Sequence, residues 1–89
     1  MKLVEKVTLK NEMGLHARAA AKIVKVSGKY RSRVMFERDG MQADGSSILD
    51  ILVLACPKGS RLTISVDGVD AQGAIDELRE LIDNKFGEM

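Results

Sequence analysis

Residues 34–44, Val34-Met35-Phe36-Glu37-Arg38-Asp39-Gly40-Met41-Gln42-Ala43-Asp44, decide how the chain folds. Val34 to Glu37 reads as a strand, Asp39-Gly40 as a tight hairpin turn, and Met41 to Asp44 as a short returning strand. A two-residue turn joins only antiparallel neighbours.

On the C-terminal side, Gly45-Ser46-Ser47 is a helix-start signal, and Ile48 to Leu54 is an apolar run broken only by Asp50. That run reads as a short helix, although a buried strand has a similar composition. Pro57-Lys58-Gly59 is a turn. Leu62, Ile64 and Val66 then alternate with Thr63 and Ser65, which predicts a half-buried strand ended by Asp67-Gly68. Asp70 is placed to cap a last helix with Ala71, Ala74, Ile75, Leu78, Leu81 and Ile82 on its apolar face.

On the N-terminal side, residues 2–9 put Leu3, Val7 and Leu9 on one side of an extended segment that Glu5 interrupts. Asn11-Glu12-Met13-Gly14 breaks the pattern as a loop. From Ala17 to about Ser27 the pattern turns helical, with Ala17, Ala20, Ala21 and Val24 as the apolar face and Gly28 as the stop. The predicted order is βαββαβα. This is an α+β, open-faced β-sandwich: a four-stranded antiparallel sheet with three helices on one face. Such sandwiches also serve as ligand sensors and RNA binders, so architecture leaves function open.

The 89 residues support one small domain over 1–89, with too little core for a deep catalytic cavity. No P-loop or other cofactor motif appears, so neither a cofactor nor a complete enzyme site is expected. A single His and a single Cys argue against a metal site, and one cysteine cannot form an internal disulfide. No apolar run approaches the roughly 20 residues of a membrane span. The start also lacks the apolar block of a signal peptide, and the expected location is cytoplasmic.

Net charge is +1, but residues 1–40 hold ten Lys/Arg against four Asp/Glu, and residues 41–89 hold four against nine. This asymmetry predicts a basic surface on one part of the fold and an acidic one elsewhere. Arg18, Lys22, Lys25 and Lys29 form one stripe on the first helix, either a plainly solvated face or a steering surface for acidic partners. The stripe is also the only support for an RNA-binding module. Two Phe, one Tyr and no Trp offer little base stacking, so no nucleic-acid partner is expected.

Gly14-Leu15-His16-Ala17-Arg18 joins the first loop to the first helix. A helix start leaves backbone N–H groups unpaired and carries partial positive charge, which favours the neutral, nucleophilic form of an imidazole held there. Once phosphorylated, the same ring would place its anionic group among those N–H donors and Arg18. By position alone, a lone His at a helix start such as His16 is usually a surface residue or a weak cap, and Arg18 is equally a solvated helix residue.

Residues 14–20, GLHARAA, closely resemble the active-site signature of the HPr family of histidine-containing phosphocarriers. The likeness covers nearly the whole chain: its length, the element order, the hairpin before a Ser-Ser-Ile helix start, and the Lys58-Gly59 turn. The resemblance implies that His16 accepts phosphate on Nδ1 from phosphoenolpyruvate-charged enzyme I and passes it to IIA components of sugar permeases. It also implies that Arg18 steadies the phosphoryl group while Ala17 and Arg18 supply amide donors. Nitrogen-related regulation is the other branch with this motif. Ala19 stands where many members have proline, a departure that leaves His16 and Arg18 intact. A relative that kept the fold but lost phosphotransfer is disfavoured by the retained His16.

Ser47 matches a serine modified in some bacteria by HPr kinase/phosphorylase, and it is otherwise a plain N-cap. Asp50 departs from the small residue often found there. Leu49 and Leu52 match the patch that docks enzyme I and IIA partners, core packing being the alternative. Lys22 and Lys25 belong to the same contact surface, and a monomer is the expected state. Met13, Met35 and Cys56 need no role beyond packing.

Overall fold

The computed structural model describes residues 1–88. Its elements are β1 (Lys2–Thr8), α1 (Ala17–Ser27), β2 (Arg33–Arg38), β3 (Met41–Asp44), α2 (Ile48–Val53), β4 (Arg61–Asp67) and α3 (Ala71–Asp83), followed by a 3-10 turn, Lys85–Gly87. The sheet order is β1-β4-β2-β3, with every neighbouring pair antiparallel. This is the predicted βαββαβα sandwich.

Alternation explains the register. Ile64 faces Glu5 on one side and Phe36 on the other, and Val66 faces Leu3 and Val34. Val34, Phe36, Ala43, Leu62, Ile64 and Val66 therefore share the covered face, where all are buried. Full burial of a side chain such as Phe36 contributes about 1.5–3 kcal/mol. Glu5, which interrupts the apolar pattern of β1, sits on the same face and reaches Arg79 of α3 at 3.0 Å. The β2–β3 turn has Asp39 at φ 50° and Gly40 at φ 82°, the two left-handed residues that a two-residue hairpin needs.

α1 lies as expected in the chain but rotated from its predicted face. Ala19, Ala20, Ile23, Val26 and Ser27 are buried, whereas Ala17 and Ala21 are exposed. The bulkier Ile23 and Val26 set the buried side, because burying them removes far more apolar area than burying alanine. Gly28 caps the helix at φ −69°, in the right-handed region, so the stop does not use glycine's special freedom. α3 buries Ala71, Ala74, Ile75, Leu78 and Ile82 as predicted, with Leu81 half-buried. Asp70 begins α3 without a side-chain cap. Its carboxylate instead accepts from the amides of Arg31 and Ser32, both at 2.9 Å, and from the Ser32 hydroxyl.

Candidate functional site

The loop before α1 is built around Gly14, at φ 64°. A Cβ at this position would collide with the carbonyl of Cys56, the same oxygen that accepts from the Leu15 amide at 2.8 Å. Glycine is needed here for conformation and for close approach. Leu15 is buried, so the chain emerges from the core directly into His16.

His16 is the N-cap of α1. It has extended backbone angles, and its Nδ1 accepts from the Arg18 amide at 3.3 Å. An imidazole here takes the place of the usual Ser, Thr, Asp or Asn cap. The side chain of His16 is 19% exposed, leaving a partly open ring edge at the positive end of the helix. Ala17 and Arg18 are exposed beside it, and Ala19 is fully buried in the core. Arg18 lines a surface hollow with Glu12, Met13, Gly87 and Glu88.

Two residues of this site escaped the sequence reading. Glu88 Oε2 lies 2.5 Å from His16 Nε2, and Glu88 Oε1 accepts from Asn11 Nδ2 at 3.1 Å. Burial works against the ionised form of Glu88, but the hydrogen bonds from Asn11 and His16, with the charges of His16 and Lys22, outweigh it. The net effect holds the carboxyl below the usual carboxylate range. A separation of 72 residues hides this contact from any local motif. The one available signal is a polar Asn11 in the loop that precedes the histidine.

The basic stripe is divided. The Lys22 ammonium donates to the Phe86 carbonyl and Lys29 pairs with Glu77 at 2.6 Å, so both tie α1 to the C-terminal part of the chain. Among the described residues Arg18 and Lys25 have no ion-pair partner. The loop itself is tied down by Glu12, whose carboxylate meets Lys58 at 2.5 Å.

Ser47 caps α2, its Oγ accepting from the Asp50 amide at 3.2 Å. Asp50 reaches back to the Asp44 amide, and Ser46 donates to the Asp44 carboxylate. Along α2 the apolar residues separate cleanly: Ile51 is buried, Leu52 packs half-buried against the core, and Leu49 is 75% exposed. α2 packs against α1, and its Ile48, Leu49 and Val53 are exposed. Among the described residues no group of three or more His, Cys, Asp or Glu is arranged to hold a metal ion. Among the described residues no helix is long and apolar enough to cross a membrane.

This geometry has close counterparts. A family model described as the PTS HPr component phosphorylation site matches residues 3–84. The phosphocarrier protein HPr of Cupriavidus necator is 46% identical over 81 residues, 91% of each chain. That of Pseudomonas aeruginosa is 42% identical over 83 residues, 92% of each. The crystal structure of HPr-C-His from Thermoanaerobacter tengcongensis superposes with a TM-score of 0.94 at 36% identity, covering 98% of both chains. The chain belongs to the HPr family, the phosphocarriers of the phosphotransferase system that carry phosphate on a histidine from enzyme I to IIA components and are not catalysts on their own.

Proposed function

We propose that Nδ1 of His16 is the atom that carries the phosphoryl group and that Arg18 steadies it. The observation that carries this reading is the hydrogen bond from the Arg18 amide to Nδ1 at the start of α1. An accepting Nδ1 holds a lone pair, and a lone pair at a partly exposed ring edge is a nucleophile. When phosphorus bonds to Nδ1, the Arg18 amide loses its acceptor and turns to a phosphoryl oxygen. The Ala17 amide and the Arg18 guanidinium complete the cradle.

Leu49, with Leu52 beneath it and Lys25 on the adjoining helix, forms the surface that meets enzyme I and IIA components. Leu49 is 75% exposed on α2, and α2 packs against α1, the helix that carries Lys25, which suits an apolar contact with an acidic rim. Lys22, whose ammonium donates to the Phe86 carbonyl, belongs to the same contact surface. The reading is of a cytoplasmic monomer serving sugar uptake or the nitrogen-related branch. Where an HPr kinase/phosphorylase is present, Ser47 is its target. Phosphorylation there would bring about two negative charges to the start of α2, tolerable at a helix N-terminus but repulsive to an acidic partner.

Incubation with enzyme I and labelled phosphoenolpyruvate tests the main reading. It should give an acid-labile, base-stable adduct that is absent in His16→Ala. A wild-type protein that takes no label from any enzyme I of its own cell rules it out. ATP with the cognate kinase should label Ser47 and not Ser47→Ala.

A further inference from the structure

The last described turn is held in an unusual backbone. Lys85, Phe86 and Gly87 have φ of 56°, 56° and 75°, three successive residues in the left-handed region, two of them with side chains. Three contacts fix this conformation. Phe86 is 1% exposed, the Lys22 ammonium binds its carbonyl, and the Gly87 amide donates to the Asn84 carbonyl at 2.9 Å. Together they deliver the Glu88 carboxylate onto the imidazole. Asn11, fully buried, receives it from the other side. Its Nδ2 donates both to Glu88 and, at 2.8 Å, to the Gly14 carbonyl of the His16 loop.

We propose that Asn11 and Glu88 are positioning residues for phosphoryl transfer: Glu88, held by Asn11, keeps a proton on Nε2 of His16 throughout the cycle. This rests on the reading of Nδ1 as the acceptor. Because Nδ1 accepts from Arg18, the proton of the neutral ring belongs on Nε2, where the carboxylate accepts it. On arrival of phosphate, the bond from phosphorus to the donor breaks and its electron pair stays with the donor. The Nδ1 lone pair forms the new N–P bond. Nε2 retains its proton, so the ring becomes cationic directly opposite the Glu88 carboxylate. On onward transfer the N–P electron pair returns to Nδ1 and neutral imidazole leaves. A ring that had lost the Nε2 proton would have to leave as imidazolate, a far poorer leaving group. Glu88 thus favours the phosphorylated state that can pass its group on.

The charged groups around the ring are Glu88 from the C-terminal segment, Glu12 from the loop, and Arg18 and Lys22 from α1. Glu88→Gln keeps the shape and an acceptor but removes the charge. It therefore separates positioning from electrostatics.

The test is 15N NMR of the His16 ring, with and without phosphate, in wild type, Glu88→Ala, Glu88→Gln and Asn11→Ala, together with transfer rates to IIA. The wild-type neutral ring should be almost wholly the Nε2–H tautomer. Glu88→Ala should show a mixture of tautomers, and Glu88→Gln should retain the Nε2–H form. Onward transfer in both should slow about tenfold, the equivalent of one charge-assisted hydrogen bond. Asn11→Ala should show a smaller shift in tautomer than Glu88→Ala, because the carboxylate that meets Nε2 is still present. An unmoved tautomer in Glu88→Ala together with unmoved transfer rates in both Glu88 variants would overturn the inference while leaving a labelled His16 intact. Absence of label on wild-type His16 would instead remove the functional reading beneath it.

Discussion

The backbone amide of Arg18 lies 3.3 Å from Nδ1 of His16, so the imidazole caps the helix that presents it. Substituting Arg18 spares this amide and removes only the guanidinium, which is exposed and has no ion-pair partner among the described residues. Arg18→Ala is therefore expected to keep its fold, with unfolding free energy changed by no more than about 0.5 kcal/mol. It should still take label on His16. Rates of transfer should fall roughly 10- to 100-fold, the equivalent of losing a hydrogen bond to a charged group. Arg18→Lys should recover part of this, since it restores charge without the planar fork. Rapid-quench transfer from enzyme I measures both. Wild-type rates in Arg18→Ala would remove the residue from the site.

Gly14 carries a different burden, because its φ of 64° and the Cys56 carbonyl at its Cα leave no place for a methyl group. Gly14→Ala should lose about 2–5 kcal/mol of stability, combining the left-handed penalty with overpacking. The Leu15 amide would be displaced from the Cys56 carbonyl, so His16 should shift and labelling should slow as well. Urea unfolding monitored by circular dichroism measures the first effect. A variant as stable as wild type would mean that the loop has an alternative path.

Much of the fold was legible because its signals are local. The alternation of Leu62, Ile64 and Val66, the Asp39-Gly40 turn and the spacing from Ala71 to Ile82 each recur in the structure. The α1 face was misread because Ala17, Ala21 and Val24 share a helical spacing that the larger apolar area of Ile23 and Val26 outweighs. Asp70 looks like a cap in sequence, yet its carboxylate is engaged by backbone amides from a loop 38 and 39 residues away. Of the site, His16 and Arg18 stand in one readable motif. Glu88 reaches His16 only through the burial of Phe86 and the turn that follows it, and no local pattern encodes that approach.

The Asp70 arrangement gives a pH dependence of definite sign. The Ser32 hydroxyl chiefly, with the Arg31 and Ser32 amides, holds its carboxyl below the usual aspartate range. A depressed folded value means stability that is present above the unfolded value, about pH 4, and is lost as pH falls through the folded one. The melting-temperature gap between wild type and Asp70→Asn should therefore be largest near neutrality and should close on acidification below about pH 4. Ser32→Ala should narrow the same gap. A gap that is constant with pH would show that the carboxylate's charge contributes nothing to this clasp.

The two faces of α2 separate docking from folding. Ile51 is fully buried, so Ile51→Ala should cost about 2–5 kcal/mol in unfolding free energy and leave the chemistry of His16 otherwise unaltered. Leu49 is 75% exposed two residues earlier, and a change there removes almost no buried area. Leu49→Ala should stay within about 0.5 kcal/mol of wild-type stability. If Leu49 is a central contact for enzyme I, the same variant should weaken that interaction by more than about 1 kcal/mol, seen as a KM raised roughly fivefold or more at unchanged kcat. Leu49→Glu should raise it further, because a carboxylate would then face an acidic partner without compensation. Unaltered kinetics in Leu49→Glu would move the docking surface elsewhere, with Ile48 and Val53 the next exposed apolar positions to test.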